Sequence, residues 1–234
     1  MSTVAIPPAV RPNRAPSVDL PPWPVRARQA ASALGDLLED PNRLDRVLAL
    51  CEAVNAKVLP DIWGRFQADE TGRAILEEKP ALDRTTLDFA ALRALPEGTL
   101  GREYVRFLDD NGITPDVFKR PDLANAEVAY LAQRIRQTHD LWHVLTGYSP
   151  DVPGEILLQW FTYAQTRAPS AFLIGLFGTL RFGIFERGFL PRVVHAYRKG
   201  GACRFLATVR WESRWNDRVE DLRREFDCTN VASG

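Results

Sequence analysis

The sequence predicts an all-α protein built as a single-domain helical bundle. Apolar residues recur at steps of three and four along most of the chain, which is the spacing that places them on one face of a helix. No stretch shows a convincing alternation of apolar and polar residues, the pattern of a half-buried β-strand. The chain has 234 residues, of which 45% are hydrophobic, so it can bury a substantial core without disulfide bonds. We expect the domain to cover residues 29–230.

The first two predicted helices are bounded by clear start and stop signals. One covers about residues 44–59, where Asp40-Pro41-Asn42 precedes the apolar pattern and Pro60 ends it. The next runs from about Leu100 to Leu108 and ends at Asn111-Gly112, a pair that tolerates left-handed backbone.

Three further helices are predicted in the second half of the chain. The third spans roughly Leu123 to Leu145, between Pro121 and Gly147, and Pro153-Gly154 opens the fourth. The last is expected over about 203–226. Its apolar stripe consists of Trp211, Trp215, Val219, Leu222 and Phe226.

Residues 1–28 are predicted to form a Pro-rich flexible arm. They contain seven prolines, which disfavour a helix, and no apolar run of the kind found in signal peptides. The longest apolar stretch of the chain, residues 168–180, is shorter than the roughly 20 residues of a membrane-spanning helix. We therefore expect no part of the chain to cross a bilayer.

Charge and cysteine content exclude two classes of protein. The 30 basic and 30 acidic side chains balance, which argues against a general nucleic-acid binder. The three cysteines, Cys51, Cys203 and Cys228, form no CxxC pair, so they predict reduced thiols in a cytoplasmic compartment and not a disulfide framework.

Two histidines on the third helix are candidate metal ligands. His139 and His143 continue an apolar ridge that starts at Leu131 and Ile135, because four residues advance a helix by slightly more than one turn. Imidazoles one turn apart can bind a single divalent ion. Only three histidines occur in the chain, and two of them lie in this turn. The alternative is a structural pair of buried imidazoles bonded to carbonyl groups or acids, and the spacing alone leaves both interpretations open.

Two carboxylates lie within reach of these histidines. Asp140 lies on the flank of the same helical turn. Glu155 follows a short stretch of glycine and proline and falls in the first turn of the fourth helix, where the unpaired backbone amides favour a carboxylate. If the chain folds back there, Glu155 faces the histidines.

These residues resemble the motif of a known family. His139-Asp140-Leu141-Trp142-His143, then eleven residues and Glu155, match the HDxxH-x11-E motif of the coenzyme Q (ubiquinone) biosynthesis protein 4 family. The segment 98–107 is similar to that family's GxLGxxYxxF segment. Further similarity lies at 134–136, 154–166 and 215–224, and the resemblance covers roughly Ala30 to Phe226.

The resemblance implies a dimeric all-α protein that acts on polyprenylated aromatic precursors of ubiquinone. It implies that the four motif residues are catalytic and bind a divalent cation, reported as zinc, although two histidines with carboxylates also fit iron, and manganese or magnesium stay open. The implied activity is removal of the ring carboxyl group of a polyprenylated 4-hydroxybenzoate. Other family members are regarded as non-catalytic scaffolds of the ubiquinone biosynthetic complex, and a related isoprenoid lipid is an alternative ligand.

The implied location is peripheral to a membrane. In a bacterium this is the cytoplasmic side of the inner membrane, and in a eukaryote it is the matrix side of the mitochondrial inner membrane. Residues 187–211 contain six basic and no acidic residues, with apolar side chains between them, and are a candidate contact for anionic lipids. The alternative is a solvated basic face.

An apolar segment at 171–185 is a candidate to line a groove for the prenyl tail. Phe172, Leu176 and Gly178 are the candidate tail residues, since small residues let a chain approach the backbone closely. The alternative is a core helix with glycines at helix contacts. A phosphohydrolase of the His-Asp type is disfavoured because no histidine precedes His139.

Overall fold

A computed structural model of the protein describes residues 20–114, 125–183 and 185–229. Over these ranges the secondary structure is helical and contains no β-strand, apart from one isolated bridge between Thr99 and Arg218. The predicted all-α fold is confirmed. The α-helices are α1 (Trp23–Glu39), α2 (Leu44–Val54), α3 (Leu59–Ala68), α4 (Glu70–Glu78), α5 (Phe89–Arg93), α6 (Leu100–Asn111), α7 (Ala126–Thr146), α8 (Val152–Thr166), α9 (Pro169–Gly178), α10 (Phe189–Ala202) and α11 (Val219–Glu225).

Helix α7 is the central element, and its ends follow from local sequence. The side chain of Asn125 accepts hydrogen bonds from two backbone amides of the first turn, and Gly147 ends the helix in the left-handed conformation with φ of 79°. Asp151 then caps α8. A Cβ atom at Gly154 would clash with the carbonyl group of Ser149, so the tight return between α7 and α8 requires glycine. This return fixes where the first turn of α8 lies relative to the end of α7.

The core consists of two hydrophobic clusters. The larger one surrounds α7 and α8 and includes the fully buried side chains of Phe66, Trp142 and Trp211. The smaller one joins α1 to α2 through Leu37 and Leu50, and α9 packs against it. A cavity remains between the two clusters. Helices α1 and α2 border it on one side, and α7, α8 and α9 border it on the other.

Helices α8 and α10 approach each other closely at a glycine. An ideal Cβ atom at Gly200 would lie 2.5 Å from the carbonyl oxygen of Phe161 and 2.9 Å from Cβ of Ala164. A larger residue at this position would push the two helices apart. The close contact holds α8, and with it Glu155, against the rest of the bundle.

The C-terminal segment differs from the long helix predicted over 203–226. It forms two short 3-10 turns, Leu206–Thr208 and Trp211–Ser213, before the short helix α11. Four of the five apolar stripe residues are buried as expected and Trp215 is half-buried. The backbone, however, finds partners elsewhere: the amide of Leu100 donates to the carbonyl of Asp217 at 2.8 Å, and that of Gly101 to the carbonyl of Trp215 at 2.9 Å. Apolar spacing does not reveal such long-range backbone bonds, so the prediction of one helix was wrong.

The other boundaries need smaller corrections. The first predicted helix ends at Val54, and Pro60 lies in the first turn of α3, where proline is well tolerated. The predicted start of the third helix near Leu123 lies outside the described residues, which show it from Ala126. Helix α1 begins at Trp23, so residues 23–28 are helical and do not belong to the predicted arm; residues 1–19 lie outside the described residues.

The cysteines differ from their prediction as reduced thiols. Cys203 and Cys228 are joined as a disulfide with a Cα–Cα distance of 5.1 Å, while Cys51 is free. The two cysteines are 25 residues apart, and the irregular C-terminal segment brings them together. Their spacing in the sequence gives no sign of this pairing.

In the described part of the chain, no helix combines the length and the apolar character that crossing a bilayer requires. The apolar stretch at 168–180 contains the whole of α9 and the first two residues of a π-helical turn, Thr179–Gly183.

Candidate metal centre

Three side chains from two helices converge on one point. Nε2 of His143 lies 3.0 Å from Oε1 of Glu155, and Nε2 of His139 lies 3.5 Å from Oε2 of the same carboxylate. Ligand atoms of the three residues all lie within 4.8 Å of one another, so the group could hold a metal ion. The structure thus brings Glu155 opposite the two histidines, as the predicted return of the chain requires.

The ring of His143 is held in the orientation that a metal ligand needs. Its Nδ1–H donates to the carbonyl oxygen of Tyr148 at 2.9 Å, and because a carbonyl only accepts, Nε2 of the neutral ring keeps its lone pair. Phe107 stacks on the ring with a centroid distance of 5.2 Å. The side chain of His143 is only 1% exposed. The hydrogen bond at Nδ1 and the stacking of Phe107 on the ring face therefore fix the Nε2 atom towards Glu155.

The charges at this point couple the Glu155 carboxylate to the two imidazoles. Burial alone would raise the pKa of Glu155, but the imidazoles of His139 and His143 beside it hold that pKa well below its usual range. For His139, burial lowers the pKa, and the neighbouring Glu155 carboxylate more than offsets this, so that its pKa is raised. Glu155 is thus a carboxylate that lies between the ring nitrogens of the two histidines.

Asp140 lies beside these three residues but does not share their point of convergence. It is 5% exposed, and burial raises the pKa of its carboxyl group. It is the fourth ionisable group of the site, although it does not belong to the set of three whose ligand atoms lie within 4.8 Å.

A large cavity adjoins the site. Its volume is about 910 Å³, and its walls come from α1, α2, α7, α8 and α9. This is within the size range of small-molecule sites. His139, Asp140 and Glu155 lie in the wall of the cavity, and most of the remaining lining is apolar, including Leu37, Val47, Leu48, Ile135, Ile174 and Phe177.

Comparison with known proteins identifies the family. The family described as coenzyme Q (ubiquinone) biosynthesis protein Coq4 matches residues 18–232. The chain belongs to the Coq4 family.

Curated relatives of this Coq4-family protein match most of its length. A protein of Danio rerio named "Ubiquinone biosynthesis protein COQ4 homolog, mitochondrial" is 37% identical over 193 residues, which cover 81% of this chain and 71% of the relative. The proteins of the same name from Xenopus tropicalis and Homo sapiens are 39% and 35% identical, and the matches cover 81% and 86% of this chain and 68% and 77% of those proteins. The crystal structure of a protein from Nostoc punctiforme matches with a TM-score of 0.68 at 24% identity, over 87% of this chain and 99% of that one. This last likeness shows the fold alone.

The predicted tail residues of this Coq4-family protein are only partly placed at the cavity. Gly178 lies in its wall, whereas Phe172 and Leu176 are not among the lining residues. Phe172 packs instead against the rings of Trp160 and Tyr163, at centroid distances of 5.8 and 5.2 Å. The periodicity of a helix that is apolar all round does not show which face lines a cavity, so the sequence could not distinguish Gly178 from Phe172 and Leu176.

The sequence did not predict that α1 and α2 line a cavity. Leu34, Leu37 and Leu38 of α1 and Leu44, Val47 and Leu48 of α2 face the cavity. In the sequence these residues form ordinary amphipathic stripes, which predict burial but not the side on which a cavity remains.

Proposed function

We propose that this protein removes the ring carboxyl group of a polyprenylated 4-hydroxybenzoate with the help of a divalent metal ion. The observation that supports it most is the convergence of His139, His143 and Glu155 in the wall of an apolar cavity. The motif similarity and the family membership point to the same chemistry.

The donor atoms of the site suit a divalent ion. Two imidazole nitrogens and a carboxylate oxygen are the ligand types of catalytic zinc sites, and the bond from His143 to the Tyr148 carbonyl is the kind of outer contact that orients such ligands. Zinc is favoured by the family resemblance, while iron, manganese and magnesium stay open, since the same donors also occur with other metals.

The chain's own residues have separate tasks in the proposed reaction. A divalent ion would supply a Lewis acid that stabilises negative charge on the ring and its oxygen substituents. The apolar walls would bind the prenyl tail and hold the ring against the site, away from bulk water. The bond between the ring and the carboxyl carbon breaks, carbon dioxide leaves, and a proton takes its place on the ring carbon.

Asp140 can take one of two roles in this scheme. It either completes the ligand set or carries the proton to the ring. The variant Asp140→Asn separates these roles, since loss of metal together with activity indicates a ligand, and loss of activity with full metal content indicates a proton carrier. Metal analysis of the purified variant beside the rate of carbon dioxide release gives the answer.

The decisive experiment uses the zinc-loaded protein and a 4-hydroxybenzoate with a short prenyl tail. We expect carbon dioxide and the decarboxylated phenol in equal amounts, and no product after treatment with a chelator. A protein that binds the ligand and the metal but releases no carbon dioxide is instead the alternative candidate, a non-catalytic prenyl-lipid-binding scaffold of the ubiquinone biosynthetic enzymes.

The position of the tail in the cavity gives a prediction that depends on tail length. Ala132 lies in the cavity wall two turns before His139 on α7, about 10 Å along the helix axis. In Ala132→Phe, the added ring should block the cavity at that depth. We expect a ligand with three isoprene units to bind about tenfold or more weakly, which corresponds to a loss of roughly 1.4 kcal/mol or more. Titration calorimetry with both ligands measures this.

A ligand with a single isoprene unit serves as the internal control for this variant. Its tail ends before the blocked depth, so its affinity should stay close to that of the native protein. Equal losses for the short and the long ligand would show that the variant disturbs the site itself, and unchanged affinity for both would place the tail elsewhere. Gly178 is less suitable for such a test, because a Cβ atom there would already lie 2.7 Å from Cγ1 of Ile156.

We also propose that the protein associates peripherally with a membrane, where its prenylated substrate resides. Among the described residues between 180 and 194, four large apolar side chains are exposed, namely Leu180, Phe185, Leu190 and Val194. Arg181 and Arg187 are exposed beside them. Two basic residues further along the predicted 187–211 segment, Arg204 and Arg210, are less available, since they form ion pairs with Asp69 and Glu78.

Replacing two of these apolar residues with acids should release the protein from membranes. Phe185 is 82% and Leu190 is 54% exposed, so Phe185→Asp with Leu190→Asp removes apolar anchors and adds charges that anionic lipids repel. We expect sedimentation with vesicles containing anionic lipid to be lost. The double variant Ala90→Asp with Ala94→Asp makes the same charge change on the exposed part of α5 and should still sediment. If both variants sediment with the vesicles, or if neither does, the proposal that this surface binds the membrane is contradicted.

The remaining features of this proposal come from the family resemblance. They are a homodimer, contact with other ubiquinone biosynthetic enzymes, and a location at the matrix side of the mitochondrial inner membrane or the cytoplasmic side of a bacterial inner membrane. The names of the vertebrate relatives describe those proteins as mitochondrial.

A further inference from the structure

One cation lies in the wall of the cavity. Among the lining residues in the described ranges, Arg136 is the single lysine or arginine. It lies on α7 one turn before His139 and Asp140, about 5 Å along the helix axis, and on the same face. An arginine at this position can reach a ligand that also touches the metal centre.

The present contact of Arg136 leaves most of its hydrogen-bonding capacity unused. Its side chain is 12% exposed, and within the described residues its ion-pair partner is Glu52 of α2, with Nη2 at 3.4 Å from Oε1. Good charge-assisted bonds are shorter, about 2.7–2.9 Å, and a guanidinium group offers five N–H donors in one plane. The side chain of Glu52 is 51% exposed, so it can turn to solvent when another anion arrives.

The other charges of the cavity make this cation important for an acidic ligand. Glu52, Asp140, Asp151 and Glu155 also line it, so the wall carries more acids than bases. Asp140 and Glu155 together would balance the charge of a divalent ion. Beyond the metal centre, the remaining charged residues of the wall are Glu52, Asp151 and Arg136, so Arg136 is the group there that attracts a carboxylate.

We propose that Arg136 is the specificity-determining residue that binds the substrate's carboxylate. The guanidinium plane matches a carboxylate through two parallel hydrogen bonds, and Glu52 holds the arginine in place until the substrate replaces it. This inference rests on the proposed function, because it assigns one group of the proposed substrate to one residue. Arg136 selects and orients the ligand and is no part of the metal centre.

The test compares two ligands that differ in the carboxyl group alone. The zinc-loaded full-length protein is titrated with 3-geranyl-4-hydroxybenzoate and with 2-geranylphenol, which lacks the carboxylate. In Arg136→Gln we expect binding of the benzoate to weaken about 10- to 100-fold, the usual effect of losing hydrogen bonds to a charged group. Binding of the phenol and the zinc content should change little. Arg136→Lys keeps the charge but not the planar fork. Its affinity for the benzoate should lie between that of the native protein and that of Arg136→Gln.

Glu52→Gln is the matched control, because it breaks the same ion pair from the other side. It frees Arg136, so the benzoate should bind at least as tightly as it does to the native protein. If the pair were only structural, both variants would weaken both ligands equally, and that result would overturn the assignment.

Three further outcomes would overturn it. An Arg136→Gln variant that keeps the native preference for the benzoate over the phenol leaves the proposed function standing but removes Arg136 from it. Tighter native binding of geranyl phosphate than of the benzoate, lost in Arg136→Gln, would assign the arginine to a phosphate instead. A native protein that binds neither the benzoate nor the phenol would refute the proposed function together with this inference.

Discussion

Replacing His139 with alanine should remove the bound metal and the decarboxylation activity together. His139 contributes one of two nitrogen donors to the convergent group, and the remaining pair, His143 and Glu155, offers too few protein ligands for a tight site. Changes in residues that only orient ligands already weaken metal binding by about 10- to 100-fold, so loss of a ligand should exceed about 100-fold. Metal content after dialysis against a weak chelator, and the rate of carbon dioxide release, measure the two effects.

His139 is suited to this test because its side chain is 23% exposed, at the cavity wall, and its removal should leave the core intact. His195→Ala is the control, since it removes the chain's one remaining histidine, on α10 and outside the convergent group. It should keep the native metal content and activity. A His139→Ala protein with full metal content and activity would rule out the metal centre described above.

Replacing Arg134 with alanine should destabilise the protein by about 3–5 kcal/mol, the usual effect of breaking a buried ion pair from one side. Arg134 is fully buried, donates from Nη2 to the Val209 carbonyl at 3.0 Å, and forms an ion pair with Glu212. Its loss would leave the Glu212 carboxylate and the Val209 carbonyl without these donors. The free energy of unfolding, from urea titration followed by circular dichroism, gives the magnitude.

The Arg93–Asp109 pair provides a comparison on the surface. Its guanidinium and carboxylate have similar contacts, but the side chains are 49% and 54% exposed, so Arg93→Ala should cost no more than about 1 kcal/mol. The double variant Arg134→Met with Glu212→Leu should recover much of the stability, because it removes both charges together. A loss for Arg134→Ala no greater than that for Arg93→Ala would show that the ion pair does not hold the C-terminal segment to α7.

The candidate metal centre depends on both local and distant contacts. The spacing of His139 and His143 on one helix is a local property, and the glycine at 154 permits the tight return that carries Glu155 back. The orientation of the His143 ring, in contrast, depends on the Tyr148 carbonyl and on Phe107 of α6. Residues outside the motif are thus needed to aim its nitrogen atom.

The sequence by itself determined the helical class, the pair of imidazoles on one face of α7, and the approach of Glu155 after the turn. These features follow from the helical repeat and from the conformations open to glycine and proline, which act over a few residues. Family membership was also accessible from the motif, because its residue types and spacing are specific.

Only the tertiary structure decided which apolar faces enclose a cavity and where the C-terminal segment runs. Apolar spacing shows that Leu37, Val47 and Phe172 avoid water, but not whether a partner helix or an open volume lies opposite. The pairing of Cys203 with Cys228 and the ion pair of Arg136 with Glu52 of α2 likewise depend on contacts between distant segments. Such contacts follow from how whole helices pack, because each face can satisfy its burial against several neighbours, and the packing of the complete chain selects one of them.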